Sequence, residues 1–84
     1  MNRIETLQNL LKENPADEFT KYALALEYVS IKDSENAEKY MKDLLMNSPN
    51  YLAVYYQYGK LLEDKGEIEE ARKIYNQGLF VAAS

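Results

Sequence analysis

Several residue types that carry protein chemistry are missing from this chain. Its 84 residues contain no cysteine and no histidine, so disulfide bonds, thiolate metal sites and catalytic triads built on these residues cannot form. Acidic residues outnumber basic ones by 14 to 10, and the net charge of −4 disfavours binding to the phosphate backbone of nucleic acids. No apolar run approaches the roughly 20 residues that cross a bilayer, and the first residues alternate polar and apolar side chains instead of forming a leader. We therefore expect a cytoplasmic protein with no nucleic-acid or membrane partner.

The glycines and carboxylates that are present offer little catalytic chemistry. Gly59, Gly66 and Gly78 lie far apart and form no phosphate-cradling loop. Adjacent carboxylates at 63–64 and 69–70 have the chemistry for acid–base work or for a hard cation, but neighbouring positions on a helix point about 100° apart and are usually solvated. We expect no catalytic residue, no cofactor and no metal site. Stoichiometric metal binding at the acidic turns would revive the enzyme alternative.

Apolar side chains recur at helical spacing in five segments that are separated by turn signals. The first helix is predicted over residues 3–13, and the second starts after Asp17 and ends near Ser30. The third is capped by Asp33 or Ser34 and ends at Ser48-Pro49, the fourth is capped by Asn50 and closed by Gly66, and the fifth starts near Ile68. The fifth helix is expected to bury Ala71, Ile74, Tyr75 and Leu79. Short connections predict that neighbouring helices lie antiparallel.

Identical residues recur with one common spacing of 34 residues. The pairs are Pro15 and Pro49, Tyr22 and Tyr56, Ala37 and Ala71, and the series Leu11, Leu45 and Leu79. A helical bundle without repeats would show the same apolar stripes, but it would have no reason to place these residues at a single offset. The spacing therefore predicts a helical hairpin that occurs twice in the sequence.

These residues resemble the tetratricopeptide repeat, in which a large residue, a small residue and an aromatic are followed by alanine, a second aromatic and proline. The first unit supplies Leu24, Ala25, Tyr28, Ala37, Met41 and Pro49, and the second supplies Tyr55, Tyr58, Gly59, Leu62, Ala71 and Tyr75. The resemblance implies an all-α solenoid of about five antiparallel helices in a single domain, residues 1–84. Residues 3–15 would form an N-terminal half repeat that serves as a cap, residues 17–50 the first repeat and residues 51–84 the second.

The copies depart from the family pattern at three places. Lys32 stands where the second unit has Gly66, so a left-handed residue in that turn would be strained. Arg3 occupies the position of the repeated alanine, which is consistent with a polar N-terminal cap. Ala83 replaces the closing proline at the other end.

The resemblance also implies where a partner would bind. In the family, the first helix of each unit lines a concave groove, and the residues of this chain at those positions include Phe19, Tyr22, Leu26, Val29, Tyr56 and Lys60. We expect these residues to bind a protein or peptide, which makes the chain a non-catalytic adaptor or scaffold. A second interpretation is that the first helix folds across Phe19 and Tyr22 and buries them.

The C-terminal helix presents a further apolar surface with no following unit to cover it. Its residues Tyr75, Leu79, Phe80 and Val81 favour an alternative function, a self-associating module that forms a homodimer. A docking partner, or a final helix that follows residue 84 in a longer chain, would cover the same surface. The remaining interpretation is that the end frays and the patch is small.

Overall fold

The fold of residues 2–84, described by a computed structural model, is all-α. Its five helices are α1 (Arg3–Glu13), α2 (Glu18–Ser30), α3 (Ser34–Asn47), α4 (Leu52–Asp64) and α5 (Ile68–Ala83), and this part of the chain contains no strand. The predicted all-α helical-repeat fold is therefore confirmed. Most helix bounds also agree with the positions of the predicted caps and turn residues.

The first three helices begin at side chains that accept hydrogen bonds from free backbone N–H groups. Asn2, Asp17 and Asp33 each accept from the N–H three residues further on, at 2.8, 3.0 and 3.2 Å. The prediction that Asn50 caps α4 is wrong. Tyr51 is the N-cap residue, and no side chain caps this helix. The backbone N–H of Tyr51 instead donates to the carbonyl of Ser48 at 2.9 Å, which closes a turn through residues 49–50 before α4 begins.

The α2–α3 and α4–α5 connections have the same backbone geometry. Lys32 and Gly66 both adopt left-handed backbone angles, with φ of 65° and 82°. In each turn the next N–H bonds back to a carbonyl five residues earlier, from Asp33 to Tyr28 at 2.9 Å and from Glu67 to Leu62 at 2.8 Å. This is the Schellman arrangement that closes a helix. Lys32 thus has the left-handed conformation that is the condition for the strain considered from the sequence.

Two antiparallel hairpins form the body of the molecule. We call α2 with α3 the first unit and α4 with α5 the second unit; α1 packs on α2, and α3 packs on α4. Apolar side chains fill the space between the helices, and those with no exposed surface are Leu24, Ala25, Ala37, Met41, Leu44 and Val54. The division into repeats at 17–50 and 51–84 remains a prediction, with which these hairpins are compatible.

A carboxylate on α3 links the two units. Glu38 accepts hydrogen bonds from Tyr58 Oη at 2.7 Å and from Lys65 Nζ at 3.1 Å, both of which belong to the second unit. Partial burial alone would raise the pKa of Glu38, but these bonds and the charge of Lys42 outweigh it and hold that pKa below its ordinary value. The ionised form of Glu38 therefore stabilises the contact between the units.

A second ion pair holds the first unit together. Lys21 is buried in α2, and its Nζ lies 2.9 Å from Asp43 Oδ1 on α3. Burial tends to raise the pKa of Asp43, but the hydrogen bonds from Lys21 and Asn47 lower it overall. Because a buried ammonium needs a counter-charge, this pair explains how a lysine fits where the second unit has Tyr55.

The outer face of α5 is more open than the sequence suggested. Ala71 and Ile74 are buried as predicted, but Tyr75 is only half-buried and Leu79 is 69% exposed. The prediction that α5 buries Leu79 is wrong because, in residues 2–84, α5 packs against α4 and no helix covers its other side. The Cα atoms span 37 × 28 × 13 Å, so the molecule is thin in one direction and each helix has a solvent side.

Candidate functional site

The first candidate surface is formed by α2 and α4. The rings of Tyr22, near the start of α2, and Tyr51, at the start of α4, lie 5.3 Å apart. Val29, near the end of α2, borders a pocket together with Leu61 and Asp64, near the end of α4. The two helices therefore lie side by side and parallel. We call the surface that carries the predicted binding residues of both helices the α2–α4 face.

The predicted binding residues on this face differ in exposure. Phe19 is 68% exposed and Tyr56 is 57% exposed. Lys60 is also exposed, whereas Tyr22, Leu26 and Val29 are half-buried. The exposure of Phe19 contradicts the interpretation that α1 buries it. The aromatic partner of Tyr22 is Tyr51 rather than a residue of α1.

Aromatic and charged groups meet in the second half of the face. The Lys60 ammonium lies 5.8 Å from the centre of the Tyr56 ring, within the range of a cation–π contact. On the other side, the Tyr56 ring lies 6.5 Å from that of Tyr75. The Tyr75 hydroxyl donates to Glu63 Oε1 at 2.6 Å. This hydrogen bond, helped by burial, raises the pKa of Tyr75 to about 12, so the phenol stays protonated at neutral pH.

Sequence reasoning missed Tyr51 as part of this face. The residue 34 positions before it is Asp17, a helix cap, so the repeat gives no signal for an aromatic side chain there. Desolvation raises the pKa of Tyr51, consistent with its packing against Tyr22. The local signals near Tyr51 were Pro49 and the predicted cap Asn50, and both indicated a turn.

The second candidate surface is a pocket of about 280 Å³ between α4 and α5. We call it the C-terminal groove; its lining residues are Leu52, Tyr55, Tyr56, Tyr75, Gly78, Leu79 and Ala82. Gly78 lets α5 approach α4 closely, since a Cβ atom there would lie 2.7 Å from the Cβ of Tyr55. The groove is therefore open, largely apolar and floored by aromatic rings.

The residues predicted for self-association do not share one pocket. Tyr75 and Leu79 line the C-terminal groove. Phe80 and Val81 border a separate, more polar pocket of about 500 Å³ together with Tyr55, Lys73, Asn76 and Gln77. Phe80 is 75% exposed and Val81 is half-buried. The predicted patch thus consists of two neighbouring surfaces.

Among residues 2–84, no helix is both long and apolar enough to cross a membrane. Within the same residues, no group of three or more Asp, Glu, His or Cys side chains is arranged to hold a metal ion.

Comparison with known proteins gives consistent matches. A family model described as tetratricopeptide repeat matches residues 32–83. The chain is 27% identical over 81 residues to TPR repeat-containing protein PA0015 of Pseudomonas aeruginosa, an alignment that covers 96% of this chain and 77% of that protein. It is 24% identical over 76 residues to mouse interferon-induced protein with tetratricopeptide repeats 3, covering 90% of this chain but only 19% of that protein.

The family match includes α3, α4 and α5. Because the match extends over more than half of the residues, this chain belongs to the tetratricopeptide repeat family.

Proposed function

We propose that this chain is a non-catalytic adaptor that binds a protein or peptide on the α2–α4 face. Tetratricopeptide repeats generally mediate contacts between proteins. The observation that carries the proposal is the exposure of large aromatic side chains, Phe19 and Tyr56, along two parallel helices. Aromatic side chains supply contact area at low conformational cost, which is why they are common in binding surfaces.

The face favours a ligand with two chemically different halves. Phe19, Tyr22 and Leu26 on α2 suit apolar or aromatic side chains. Lys60 and Glu63 on α4 are exposed charges that suit polar side chains of the ligand. An extended or helical peptide that places apolar residues over α2 and polar residues over α4 would fit this pattern.

The test uses a peptide selected from a displayed random library against the immobilised full chain. Its affinity is then measured for the native chain and for the double variant Phe19→Ala, Tyr22→Ala. We expect the double variant to lose at least about tenfold in affinity, since buried aromatic contacts dominate interfaces of this kind. Tyr56 is left unchanged because it also borders the C-terminal groove.

The matched control is Tyr40→Ala. Tyr40 is a half-buried tyrosine on α3 that stacks on Tyr28 with ring centres 6.0 Å apart, away from the α2–α4 face. We expect this variant to retain the affinity of the native chain. Equal loss in the control and the double variant, or a selected peptide that the double variant binds normally, would refute the proposal.

A second candidate function is self-association through α5. The exposure of Leu79 and Phe80 favours it, because large exposed apolar side chains that lie together commonly mark interfaces. Sedimentation equilibrium over a concentration series tests this function directly. A chain that remains monomeric at the highest concentration would exclude it.

A further inference from the structure

The spacing of 34 residues relates the C-terminal groove to a surface of the first unit that is already covered. Tyr56, Tyr75, Gly78 and Leu79 correspond to Tyr22, Met41, Leu44 and Leu45. In the first unit, Met41 and Leu44 have no exposed surface, Leu45 is half-buried, and the ring of Tyr51 lies against Tyr22. The element that packs on this unit next along the chain is α4. The packing of α4 on the first unit therefore shows that a surface of this kind can bind a helix.

We propose that the C-terminal groove binds an amphipathic helix of a partner protein that carries a carboxylate facing Arg72. The helix would lie on the second unit as α4 lies on the first, with its apolar side chains over Tyr56, Tyr75 and Leu79. This inference concerns a different surface from the α2–α4 face and does not depend on the adaptor function proposed for that face.

The requirement for a carboxylate follows from a reversal of charge between the two units. In the first unit, Glu38 accepts hydrogen bonds from Tyr58 and Lys65 of the covering helix. The residue 34 positions later is Arg72. A helix with a lysine at that place would set two cations against each other, whereas a carboxylate would accept paired hydrogen bonds from the guanidinium. The groove therefore selects an acidic helix and disfavours one with the charges of α4.

Arg72 is available for such a contact. Its side chain is 66% exposed, and its present ion-pair partner is Glu69, one turn earlier on α5, at 3.4 Å. Exposed pairs of this kind contribute little to stability. Arg72 lies about one turn before Tyr75 on α5, beside the residues that line the groove. A carboxylate of a bound helix that extends past Tyr75 can therefore replace or share this contact.

A second copy of this chain fits the requirement less well. α5 offers the exposed apolar pair Leu79 and Phe80, but its carboxylates Glu69 and Glu70 lie more than two turns earlier. If Leu79 and Phe80 of a second copy occupied the groove, the carboxylates of its α5 would lie more than two turns away from these apolar contacts. A second copy is therefore disfavoured as the occupant of the groove.

The same spacing separates the residues that a bound helix would cover from those it would leave exposed. Leu79 corresponds to Leu45, which is half-buried beneath the covering helix. Phe80 corresponds to Met46, which is 82% exposed although α4 is in place. A bound helix should thus contact Leu79 and leave Phe80 in solvent, whereas self-association through the predicted patch would use both.

The test measures binding of two synthetic helical peptides to the full chain. The first has the sequence of residues 50–66, which comprises α4 and its flanks. The second is the same peptide with Tyr58→Glu and Lys65→Glu. We expect the acidic peptide to bind about threefold to tenfold more tightly, as a partly covered charge pair would give. The chain's net charge of −4 opposes this preference, so a positive result requires a local cation.

Four protein variants test where the effect arises. Arg72→Glu should reverse the preference, so that the unmodified peptide binds more tightly. Lys12→Glu makes the same change of charge at an exposed site on α1 and should leave the preference intact. Leu79→Glu should abolish binding of both peptides, whereas Phe80→Ala should retain it. Circular dichroism melts check that each variant folds, which we expect because all four positions are exposed.

Any one of the following results would overturn the proposal. They are equal affinity of the two peptides for the native chain, an unchanged preference in Arg72→Glu, equal loss of binding in Phe80→Ala and Leu79→Glu, and no saturable binding up to about 1 mM peptide. A native dimer that Leu79→Glu dissociates would show that a second copy occupies the groove, and would overturn the proposal too. Because none of these variants changes Phe19 or Tyr22, failure here leaves the test of the α2–α4 face unaffected.

Discussion

Lys32 occupies a backbone position that usually belongs to glycine. Its φ of 65° lies in the left-handed region, where the Cβ of an L-residue crowds the backbone. Gly66 occupies the equivalent position of the second unit with the same closing hydrogen bonds and no such crowding. The two turns have the same geometry but carry different residues, so substitutions in both measure how much this strain lowers the free energy of unfolding.

We expect Lys32→Gly to raise the free energy of unfolding by about 0.5–1 kcal/mol, because glycine relieves the left-handed strain. Gly66→Ala should lower it by a similar amount. A Cβ atom at that position would meet no atom within 4 Å, so the cost there arises from the backbone alone. Urea unfolding of both variants provides the measurement. A less stable Lys32→Gly variant would contradict this account of the turn.

At the scale of the helices, the contact between the two helices of each unit is made by a different pair of residues. In the first unit, Ala25 and Met41 are both fully buried. In the second, Gly59 and Tyr75 take their places, and the Tyr75 ring lies so close that a Cβ on Gly59 would be 2.3 Å from Tyr75 Cε1. The smaller residue on α4 thus makes room for the larger residue on α5.

We expect Gly59→Ala to destabilise the chain by about 1–3 kcal/mol, because the added methyl group displaces the Tyr75 ring. That displacement also weakens the hydrogen bond from Tyr75 to Glu63. Adding Tyr75→Met restores the alanine–methionine pair of the first unit, so the double variant should lose less stability than the sum of the two single variants. Thermal or urea unfolding of all four proteins completes the cycle, and strictly additive losses would rule out the proposed contact.

Helix positions were predictable from sequence wherever a local signal determined them. Asp17 and Asp33 cap helices because their side chains reach free N–H groups, and this depends only on residue type and position. The cap predicted at Asn50 failed because the backbone formed a turn to Ser48 first, and residue type alone does not determine such a turn.

The candidate surfaces were predictable only in part. The 34-residue offset placed Tyr22 and Tyr56 at equivalent positions, but the partner of Tyr22 is Tyr51, which lies outside the repeating pattern. The exposure of Leu79 depends on which helix lies beside α5, and the apolar spacing within α5 does not contain that information. Contacts between helices distant in sequence are what sequence reasoning could not supply.

At the scale of the whole molecule, the two units are joined through Glu38. Its carboxylate on α3 accepts hydrogen bonds from the Tyr58 hydroxyl on α4 and from the ammonium of Lys65, the residue that follows α4. Burial, followed by the hydrogen bond to Glu38, raises the pKa of Tyr58, so this phenol remains a donor across the physiological pH range. The contact between the two units is therefore more stable while Glu38 is ionised.

We expect this link to weaken in acid. The pKa of Glu38 in the folded chain lies below its ordinary value of 4.5, so its contribution is complete above that pH and is lost as the pH falls through the folded-state pKa. Glu38→Gln should melt several degrees lower than the native chain at pH 7, in keeping with about 1 kcal/mol for a charge-assisted hydrogen bond. The difference in melting temperature between the two proteins should become smaller as the pH falls below 4.5.

The matched control for this prediction is Glu70→Gln. Glu70 forms an exposed ion pair with Lys73 on the same helix, at 3.3 Å, and should contribute little at any pH. Melting curves of the three proteins at a series of pH values make the comparison. If the difference in melting temperature between the native chain and Glu38→Gln stayed constant from neutral to acidic pH, ionisation of Glu38 would not stabilise the contact between the two units.

Tyr56 belongs to both candidate surfaces, and this shared residue has a thermodynamic consequence. Its ring lies beside Lys60 on the α2–α4 face and beside Tyr75 in the C-terminal groove. If both proposed ligands contact this ring, a ligand that fixes it from one side would change the free energy of binding on the other. Such linkage is reciprocal, so each ligand must alter the affinity for the other by the same factor. If both proposals hold, a chain of 84 residues would couple the binding of two partners through a single side chain.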